Sequence, residues 1–202
     1  MIFETGQTGA TVVMVLTISV SLLGLYGSPK VVSTCLFRPY YFLRDRQYDT
    51  IITSGFVHAD LGHLLFNMFT FYFFAFPMER FIGTVPFLVL YIAGLLLSHA
   101  CTFLKHRENA QYASLGASGA ISAVLFAYIV YVPTTTLMII PIPIPLPAFL
   151  FAIAYVAYSY WASTQSRGNI NHDAHLCGAI SGLGFVAVTD PGAFARLLSV
   201  FA

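Results

Sequence analysis

The sequence predicts an all-α membrane protein built as a single domain over residues 1–202. Hydrophobic residues make up 58% of the chain and charged residues only 8%, whereas charged residues make up about 25% of an ordinary soluble domain. No Asp, Glu, Lys or Arg occurs between positions 109 and 166. A bilayer core requires about 20 apolar residues per helix. Charged and helix-breaking residues divide the apolar sequence into segments from which we predict a bundle of six transmembrane helices.

The first three predicted spans end at charged or helix-breaking residues. The first stops at the Gly-Ser-Pro sequence at 27–29, and the second stops before Glu79-Arg80. Between them, residues 30–50 combine aromatic side chains with arginines. This composition is typical of the headgroup zone, so we expect a half-immersed interfacial loop. The three predicted spans cover residues 11–26, 51–78 and 81–104.

Prolines interrupt the next apolar region, which therefore cannot form one continuous helix. Proline lacks an amide hydrogen and its ring clashes with the preceding turn, so the fourth span is expected to end just before Pro133. Further prolines follow at positions 141, 143, 145 and 147. The remaining spans are predicted over residues 115–132, 148–163 and 174–188. Six spans place both termini on one side of the membrane, and spans two, four and six then start on the opposite side.

Polar side chains near the starts of spans two, four and six are the candidate functional residues. A polar or ionisable group in hydrocarbon is costly unless it has a partner, and it marks a candidate site. The topology gathers these side chains at a similar depth near one membrane face. They are His58, His63, Ser118 and His175.

Ser118 and His175 have the residue types of a nucleophile and its base. Small residues surround both, which allows two helices to approach closely enough for a hydrogen bond between the side chains. Ser118 also lies at the start of its helix, where backbone amides can face a developing oxyanion. No Asp or Glu lies within the spans to complete a triad, so we predict a dyad. The small residues that permit the approach are Gly116, Gly119, Gly178 and Gly182.

His63 and Asn67 form a second pair of interest. At positions i and i+4 they share one face of a helix, and both side chains can donate hydrogen bonds. Donors aimed at a developing oxyanion stabilise the transition state. We therefore assign them an oxyanion-stabilising role, with bridging between helices as the alternative. For Ser118 taken alone, packing would explain a small residue in a membrane helix equally well.

Together these motifs resemble the rhomboid family of intramembrane serine proteases. They are Gly-Ala-Ser-Gly at 116–119, His-x-x-x-Asn at 63–67, and Ala-His-x-x-Gly-x-x-x-Gly at 174–182. They fall on spans four, two and six, which is the arrangement of the family. The Glu79-Arg80-x-x-Gly83 sequence after span two also resembles a structural motif of the family. The resemblance covers roughly residues 11–188.

The resemblance implies a Ser–His dyad that cleaves transmembrane protein substrates inside or near the bilayer. Ser118 would be the nucleophile, and His175 would be the general base and later the acid for the leaving amine. The side chains of His63 and Asn67 and the backbone N–H of Ser118 would form the oxyanion hole. The loop 164–173 would correspond to a cap over the site.

One departure from the family concerns the histidine. Many relatives carry a tyrosine four residues after the nucleophile, stacked on the histidine, whereas this chain has Ser122 there. Another residue must then hold the His175 ring, and the sequence does not assign Tyr155 or Tyr158 to this role. The Trp-Arg pair common in the first loop of the family is also absent.

Two other functions stay open on the sequence. A non-proteolytic binder of membrane helices, like the inactive relatives of the family, would typically lack the serine or the histidine, and this chain has both. A small transporter or proton-coupled channel could use His63 and His175, but no repeated pattern of broken helices supports it.

The composition also bounds the partners. A formal net charge of +1 gives no reason to expect nucleic acid, so the predicted partners are membrane lipid and single-pass or polytopic transmembrane substrates. No metal and no organic cofactor is implied. The cysteines at 35, 101 and 177 lack metal-type spacing, so neither a zinc cluster nor a disulfide framework is expected. Cys177 is interpreted as a small packing residue.

The basic residues conflict with the usual topology of the family. Seven of the nine Lys and Arg residues lie on the predicted site side, which the positive-inside rule would make cytoplasmic. Rhomboids usually open outward. We favour the family topology, because residues 30–50 form a partly embedded loop whose basic residues need not follow the rule. The expected location is the plasma or inner membrane of the cell. The seven residues are Lys30, Arg38, Arg44, Arg46, Lys105, Arg107 and Arg167.

Several other side chains receive structural interpretations. His58 is expected to form hydrogen bonds within the first loop, and His172 to lie in a solvated loop. His99 and His106 are expected at the interface. An aromatic belt is the interpretation of the group that comprises Tyr155, Tyr158, Tyr160 and Trp161.

Overall fold

The computed structural model describes residues 7–139, 144–165, 170–200 and 202, and these form a helical bundle with one small β-hairpin. The helices are α1 (Thr8–Leu22, continued by a π-helical turn at Leu23–Gly27), α2 (Pro29–Cys35), α3 (Pro39–Arg44), α4 (Thr50–Thr53, continued by a 3-10 turn at Ser54–Phe56), α5 (Leu61–Ile82), α6 (Thr84–His106), α7 (Ser118–Tyr131), α8 (Ala148–Thr164), α9 (His172–Thr189) and α10 (Gly192–Ser199). The strands are β1 (Thr136–Ile139) and β2 (Ile144–Pro147).

Helix α7 lies in the middle of the bundle, where it packs against α5, α6 and α9. Eleven of its 14 residues are buried. Small residues set the distance to α6, because a Cβ built on Gly94 would lie only 2.5 Å from the Cβ of Ala123. The start of α7, which carries Ser118, is therefore surrounded by other helices of the protein.

The helix lengths decide how many spans can be counted. Among the described residues, three helical segments are long and apolar enough to cross a membrane: Thr8–Gly27, α5 and α6. Helices α9 and α10 are bent by 108° and would make a fourth span if counted as one. Helix α7 has 14 residues, which at ~1.5 Å per residue is short of a hydrocarbon core of about 30 Å. Each of the six predicted segments contains a helix, but the count of six spans is not confirmed.

The polar stretch between α1 and α5 folds as short helices that dock on α6. Phe37 is fully buried, and its backbone N–H donates to the carbonyl of Ser114, just before α7 (3.0 Å). Phe42 meets Phe103 of α6 edge to face. These contacts fasten the stretch to the ends of α6 and α7.

The proline-rich segment after α7 forms an antiparallel hairpin that the sequence analysis did not predict. Thr136 of β1 pairs with Pro147 of β2. Proline lacks an amide donor and is confined to edge strands, and both strands of a two-stranded ribbon are edges, so β2 can hold Pro145 and Pro147. The predicted helix breakers Pro141 and Pro143 lie outside the described residues.

A buried carboxylate fixes the start of α1. Glu79, near the end of α5, is 1% exposed, and it accepts hydrogen bonds from the backbone N–H groups of Gly9 (2.9 Å) and Ala10 (2.7 Å). It also accepts one from the Thr84 hydroxyl (2.7 Å). The first amides of a helix have no partner within the helix, and negative charge is favourable there. Glu79 therefore ties α1 to the turn between α5 and α6.

The residues that follow Glu79 complete this junction. The Arg80 guanidinium donates to the side-chain oxygen of Gln7, the residue before α1. Gly83 has a φ of +83°, a conformation that glycine adopts without steric cost, and it makes the turn into α6. The Glu79-Arg80-x-x-Gly83 sequence thus lies at the end of α5 opposite to His63.

A disulfide joins Cys101 of α6 to Cys177 of α9, with the two Cα atoms 6.4 Å apart. The expectation of no disulfide was wrong, and so was the interpretation of Cys177 as a packing residue only. The two cysteines are 76 residues apart and meet because the end of α6 packs on the start of α9. Spacing along the chain does not reveal such a contact. Cys35 is free.

Candidate active site

Ser118 is the first residue of α7 and follows a tight turn. Gly116 has a φ of +108°, which residues with a Cβ rarely adopt, and a Cβ there would lie 2.8 Å from Cε1 of His63. The Gly116 N–H donates to the carbonyl of Ser54 (2.8 Å). The turn is therefore fixed against the residues before α5, and it presents a half-buried Ser118 at the helix N-terminus.

His175 lies in the first turns of α9, and this end of the helix is anchored to α6. Asn171 caps α9 by accepting a backbone N–H of its first turn (3.0 Å), and its amide donates to the Thr102 hydroxyl on α6 (2.9 Å). Asp173 forms an ion pair with Lys105 (2.8 Å). Together with the disulfide, these contacts fix the turn that carries His175 on α6.

Glycines let the backbones of α7 and α9 touch beside the two candidate catalytic residues. A Cβ on Gly178 would collide with the carbonyl oxygen of Gly119, and a Cβ on Gly182 would collide with that of Ala123. Gly119 directly follows the candidate nucleophile, and Gly178 lies one turn after the candidate base. The predicted close approach of these two helices is thus present in the backbone.

The side chains of Ser118 and His175 do not form a direct bond in this structure. Within the described part of the chain, no hydrogen bond joins Ser118 Oγ to the imidazole ring. Catalytic hydrogen bonds are often long without substrate and tighten when substrate binds. The structure therefore provides adjacent backbones, and the candidate dyad would form only if the two side chains came within hydrogen-bond distance.

Aromatic rings surround the imidazole of His175. The Tyr155 ring of α8 lies nearly parallel to it, with ring centres 6.2 Å apart and an angle of 23° between the planes. His172, one turn earlier on α9, meets it edge to face at 5.9 Å. Tyr158 contacts His172 instead of His175. Of the two tyrosines that the sequence could not distinguish, Tyr155 is the one beside the histidine.

His63 and Asn67 lie one turn apart near the start of α5. His63 lies in the first turn of α5, where its backbone N–H donates to the capping carboxylate of Asp60 (2.7 Å), and its ring faces Gly116. Asn67 is buried one turn later. Its Nδ2 atom has no hydrogen-bond partner among the described residues. A buried amide donor without a partner is available for a ligand.

His58 supports the turn before Ser118. Its Nε2 accepts from the backbone N–H of Ala117 (3.5 Å), and its Nδ1 lies 2.9 Å from the Ser21 hydroxyl of α1. Because Ser21 donates its own hydrogen to the carbonyl of Phe56, Nδ1 carries the imidazole hydrogen. His58 therefore links α1 to the start of α7, and the expectation that it would bond within the first loop was wrong.

Three other expectations about side chains also need correction. His172 is buried and begins α9, so it is not in a solvated loop. His99 is buried and bonded to the Ser54 hydroxyl (3.0 Å), so it is not interfacial. The interfacial position expected for His106, whose ring stacks on Tyr112 at 3.6 Å, stays a prediction. Tyr155 differs from the other aromatic residues of α8 that were assigned to a belt, because the side chains of those residues are exposed.

Some expectations fall on the part of the chain that is not described. Arg167 lies there, and the proposed cap 164–173 is described only at its two ends. Among the described residues, no group of three or more His, Cys, Asp or Glu side chains could hold a metal ion.

The order of the motifs and the geometry around them agree with a comparison with known protein families. The family model described as "Rhomboid domain" matches residues 45–190, which is more than half of the chain. The chain belongs to the rhomboid family. With its long apolar helices, this rhomboid is an integral membrane protein.

Individual relatives agree with this family. The chain is 34% identical over 145 residues to "RHOMBOID-like protein 12, mitochondrial" of Arabidopsis thaliana, covering 64% of this chain and 43% of that protein. It is 32% identical over 140 residues to YdcA of Bacillus subtilis, whose name proposes a rhomboid protease, covering 68% of this chain and 66% of that protein. It is 31% identical over 180 residues to "Rhomboid protein 1, mitochondrial" of Saccharomyces cerevisiae, covering 83% of this chain and 50% of that protein.

These coverages show that the chain spans about half to two thirds of the length of these relatives. Two of the three names place the relative in the mitochondrion. Such names do not fit the expectation of a plasma membrane for this rhomboid.

Proposed function

We propose that this rhomboid is an intramembrane serine protease that hydrolyses peptide bonds in or near the transmembrane segments of membrane-protein substrates. The observation that carries the proposal is the backbone contact between Gly119 and Gly178. It brings together the helix starts that hold Ser118 and His175. Family membership supports the same reaction, since the Gly-Ala-Ser-Gly and Ala-His motifs are those of the active members.

In the proposed reaction, Ser118 Oγ attacks the carbonyl carbon of the scissile bond while His175 takes the hydroxyl proton. The tetrahedral intermediate collapses, and His175 gives the proton to the leaving amine. A water molecule then attacks the acyl ester, its proton passes to His175 and on to Ser118 Oγ, and the carboxylic acid leaves. The resulting products are two peptides and a regenerated enzyme.

The oxyanion in this reaction requires hydrogen-bond donors. Candidates are the backbone N–H of Ser118 at the start of α7, the unpartnered Nδ2 of Asn67 and the ring of His63. Backbone amides at a helix start favour negative charge. Each donor aimed at the developing charge is worth roughly 100- to 1000-fold in rate.

We also propose that all six apolar helices penetrate the membrane and that the site faces an oxidising compartment. Disulfides persist in oxidising compartments and are rare in the cytosol, and Cys101–Cys177 lies at the end of the bundle that holds His175. This supports the outward topology against the bias of the basic residues. A membrane-impermeant maleimide should label Cys35 from the oxidising side, and labelling only from the cytosolic or matrix side would reverse the topology.

A second candidate is a non-proteolytic binder of membrane helices. The missing hydrogen bond between Ser118 and His175 favours it. Both functions need the same surfaces, so cleavage is the property that separates them.

The test uses purified protein and a generic transmembrane substrate in detergent. We expect cleavage by the wild type and by Ser181→Ala, a matched serine on α9 whose hydroxyl donates to the carbonyl of Gly178 on its own helix, and no cleavage by Ser118→Ala or His175→Ala. A fluorophosphonate should label Ser118. Substrate binding without cleavage by the wild type would assign the binder function, and full cleavage activity of Ser118→Ala would exclude Ser118 as the nucleophile.

A further inference from the structure

We infer that Tyr155 of α8 is a positioning residue that orients the imidazole of His175 in place of a residue on α7. The inference rests on the proposed function, because a position of the ring has a consequence only if the imidazole moves a proton. Tyr155 lies on a different helix from Ser122 and follows it by 33 residues in the chain, so no motif around Ser118 or His175 contains it.

The first support is the geometry of the two rings. Their centres are 6.2 Å apart and their planes differ by 23°, which is within the roughly 4.5–7 Å range of offset-stacked aromatic pairs. The face of the phenol thus limits rotation of the imidazole on one side. When His175 holds the proton, the same face attracts the imidazolium, because a ring face carries negative potential.

The second support is the hydroxyl of Tyr155, which is anchored next to the nucleophile. Ser122 donates its hydrogen to the carbonyl oxygen of Ser118 (2.9 Å), so its oxygen is free to accept. Tyr155 Oη lies 2.7 Å from that oxygen and is therefore the donor. A chain of two hydrogen bonds thus connects the backbone of Ser118 to the ring that faces His175.

The third support is that the ring is held on its other sides. Phe126 of α7 and Phe151 of α8 contact Tyr155, with ring centres at 5.4 Å and 5.7 Å. The small side chain at Ser122 leaves room for the tyrosine and supplies its hydrogen bond. Tyr155 is thus a fixed support that touches α7 and α9 at the level of the candidate dyad.

The test compares four variants with the wild type for kcat, KM and thermal stability. Tyr155→Leu removes the ring, and Tyr155→Phe keeps the ring but removes the anchor. Tyr160→Leu is the matched control, because Tyr160 is an exposed tyrosine on the same helix. The double variant Ser122→Tyr/Tyr155→Leu supplies a ring from α7 instead.

We expect Tyr155→Leu to lower kcat on the order of 10- to 100-fold, as misplacement of a catalytic group by about 1 Å does, with little change in KM. Tyr155→Phe should lose less, Tyr160→Leu should match the wild type, and the double variant should recover part of kcat. A kcat of Tyr155→Leu equal to that of the wild type would overturn the inference. So would a rise in KM alone, which would make Tyr155 a substrate contact.

A readout that does not depend on activity separates this inference from the proposed function. In the Ser118→Ala background, isotope-labelled histidine should show a shifted His175 ring resonance when Tyr155 becomes leucine, because the ring current is lost. An unshifted resonance would overturn the inference. An inert wild type whose Ser118 takes no fluorophosphonate would instead overturn the protease function.

Discussion

At the scale of single residues, Asn67 has a cost to folding that the proposed reaction would use. Its buried Nδ2 has no partner among the described residues, and leaving a buried donor unpaired costs about 1–3 kcal/mol. It lies one helical turn after His63, on the same face of α5. A substrate oxyanion would supply the missing acceptor.

Replacement of Asn67 by alanine should therefore separate catalysis from stability. We expect Asn67→Ala to lower kcat by about 100- to 1000-fold with little change in KM, since an oxyanion donor acts in the transition state. The melting temperature should stay equal or rise, because an unpaired donor is removed. Thr70→Ala, one turn away at a half-buried position of α5, is the control. An increase in KM with unchanged kcat would instead indicate substrate binding.

The burial of His58 leads to a prediction about how the stability of the protein depends on pH. Burial, together with the neighbouring His63, lowers the pKa of His58 from 6.5 to about 3. Between these pH values the unfolded chain binds a proton at His58 that the native protein excludes. The contribution of this residue to the free energy of unfolding is therefore fully present above pH 6.5 and decreases as the pH falls towards 3. The slope from this one residue is at most about 1.4 kcal/mol per pH unit.

The measurement is thermal or denaturant unfolding between pH 4 and 8. His58→Gln should be less stable than the wild type at pH 7, because the bonds to Ser21 and Ala117 change. Its stability should nevertheless fall less steeply with acidification. Equal slopes for the two proteins would mean that His58 is not the group that titrates.

At the scale of helices, the contact between α7 and α9 sets how closely the two residues of the proposed dyad can approach. Two glycines of α9 face carbonyl oxygens of α7, so the helices are closer than any side chain would allow. Without a hydrophobic driving force in lipid, such packing between small residues is a main source of helix association. The same contact therefore holds the bundle together and sets the distance between the candidate nucleophile and the candidate base.

Gly178→Val and Gly184→Val form a matched pair for this contact. A Cβ at Gly178 collides with Gly119, whereas a Cβ at Gly184 meets nothing within 4 Å. We expect Gly178→Val to lose about 1–3 kcal/mol of stability or more and on the order of 100-fold in activity. Gly184→Val should stay close to the wild type in melting temperature and turnover. Equal behaviour of the two variants would place the helix contact elsewhere.

At the scale of the whole molecule, cross-links of three kinds hold the ends of α6 and α9 together. They are the Cys101–Cys177 disulfide, the Thr102–Asn171 hydrogen bond and the pairing of Asp173 with Lys105 and His106. The disulfide closes a loop with a sequence separation of 76. In the chain-entropy model, long loops give the larger stabilisation.

Loss of the disulfide should destabilise the protein by about 2–4 kcal/mol. The comparison is unfolding of Cys101→Ser/Cys177→Ser against the wild type, each with and without dithiothreitol, with Cys35→Ser as the control. The wild type under reducing conditions should approach the double variant, and the double variant should not respond to reductant. A wild type unaffected by complete reduction would show that cross-links of the other two kinds suffice.

The sequence predicted those features that depend on local pattern. The apolar segments predicted the positions of the helices. The family motifs predicted the candidate site residues, which lie near the starts of α5, α7 and α9. It did not predict the disulfide, the β-hairpin or the neighbours of His58, which depend on contacts between distant segments. Which of Tyr155 and Tyr158 lies beside His175 depends on how α8 is rotated about its axis relative to α9. No local sequence pattern specifies this rotation.

The disulfide also makes the middle of the chain a covalent ring. The ring runs from Cys101 to Cys177 and includes Ser118 and His175. A single cut of the backbone in the hairpin between α7 and α8 would therefore leave both candidate catalytic residues in one molecule. Such a nicked protein would migrate as one band on a denaturing gel without reductant and as two bands after reduction.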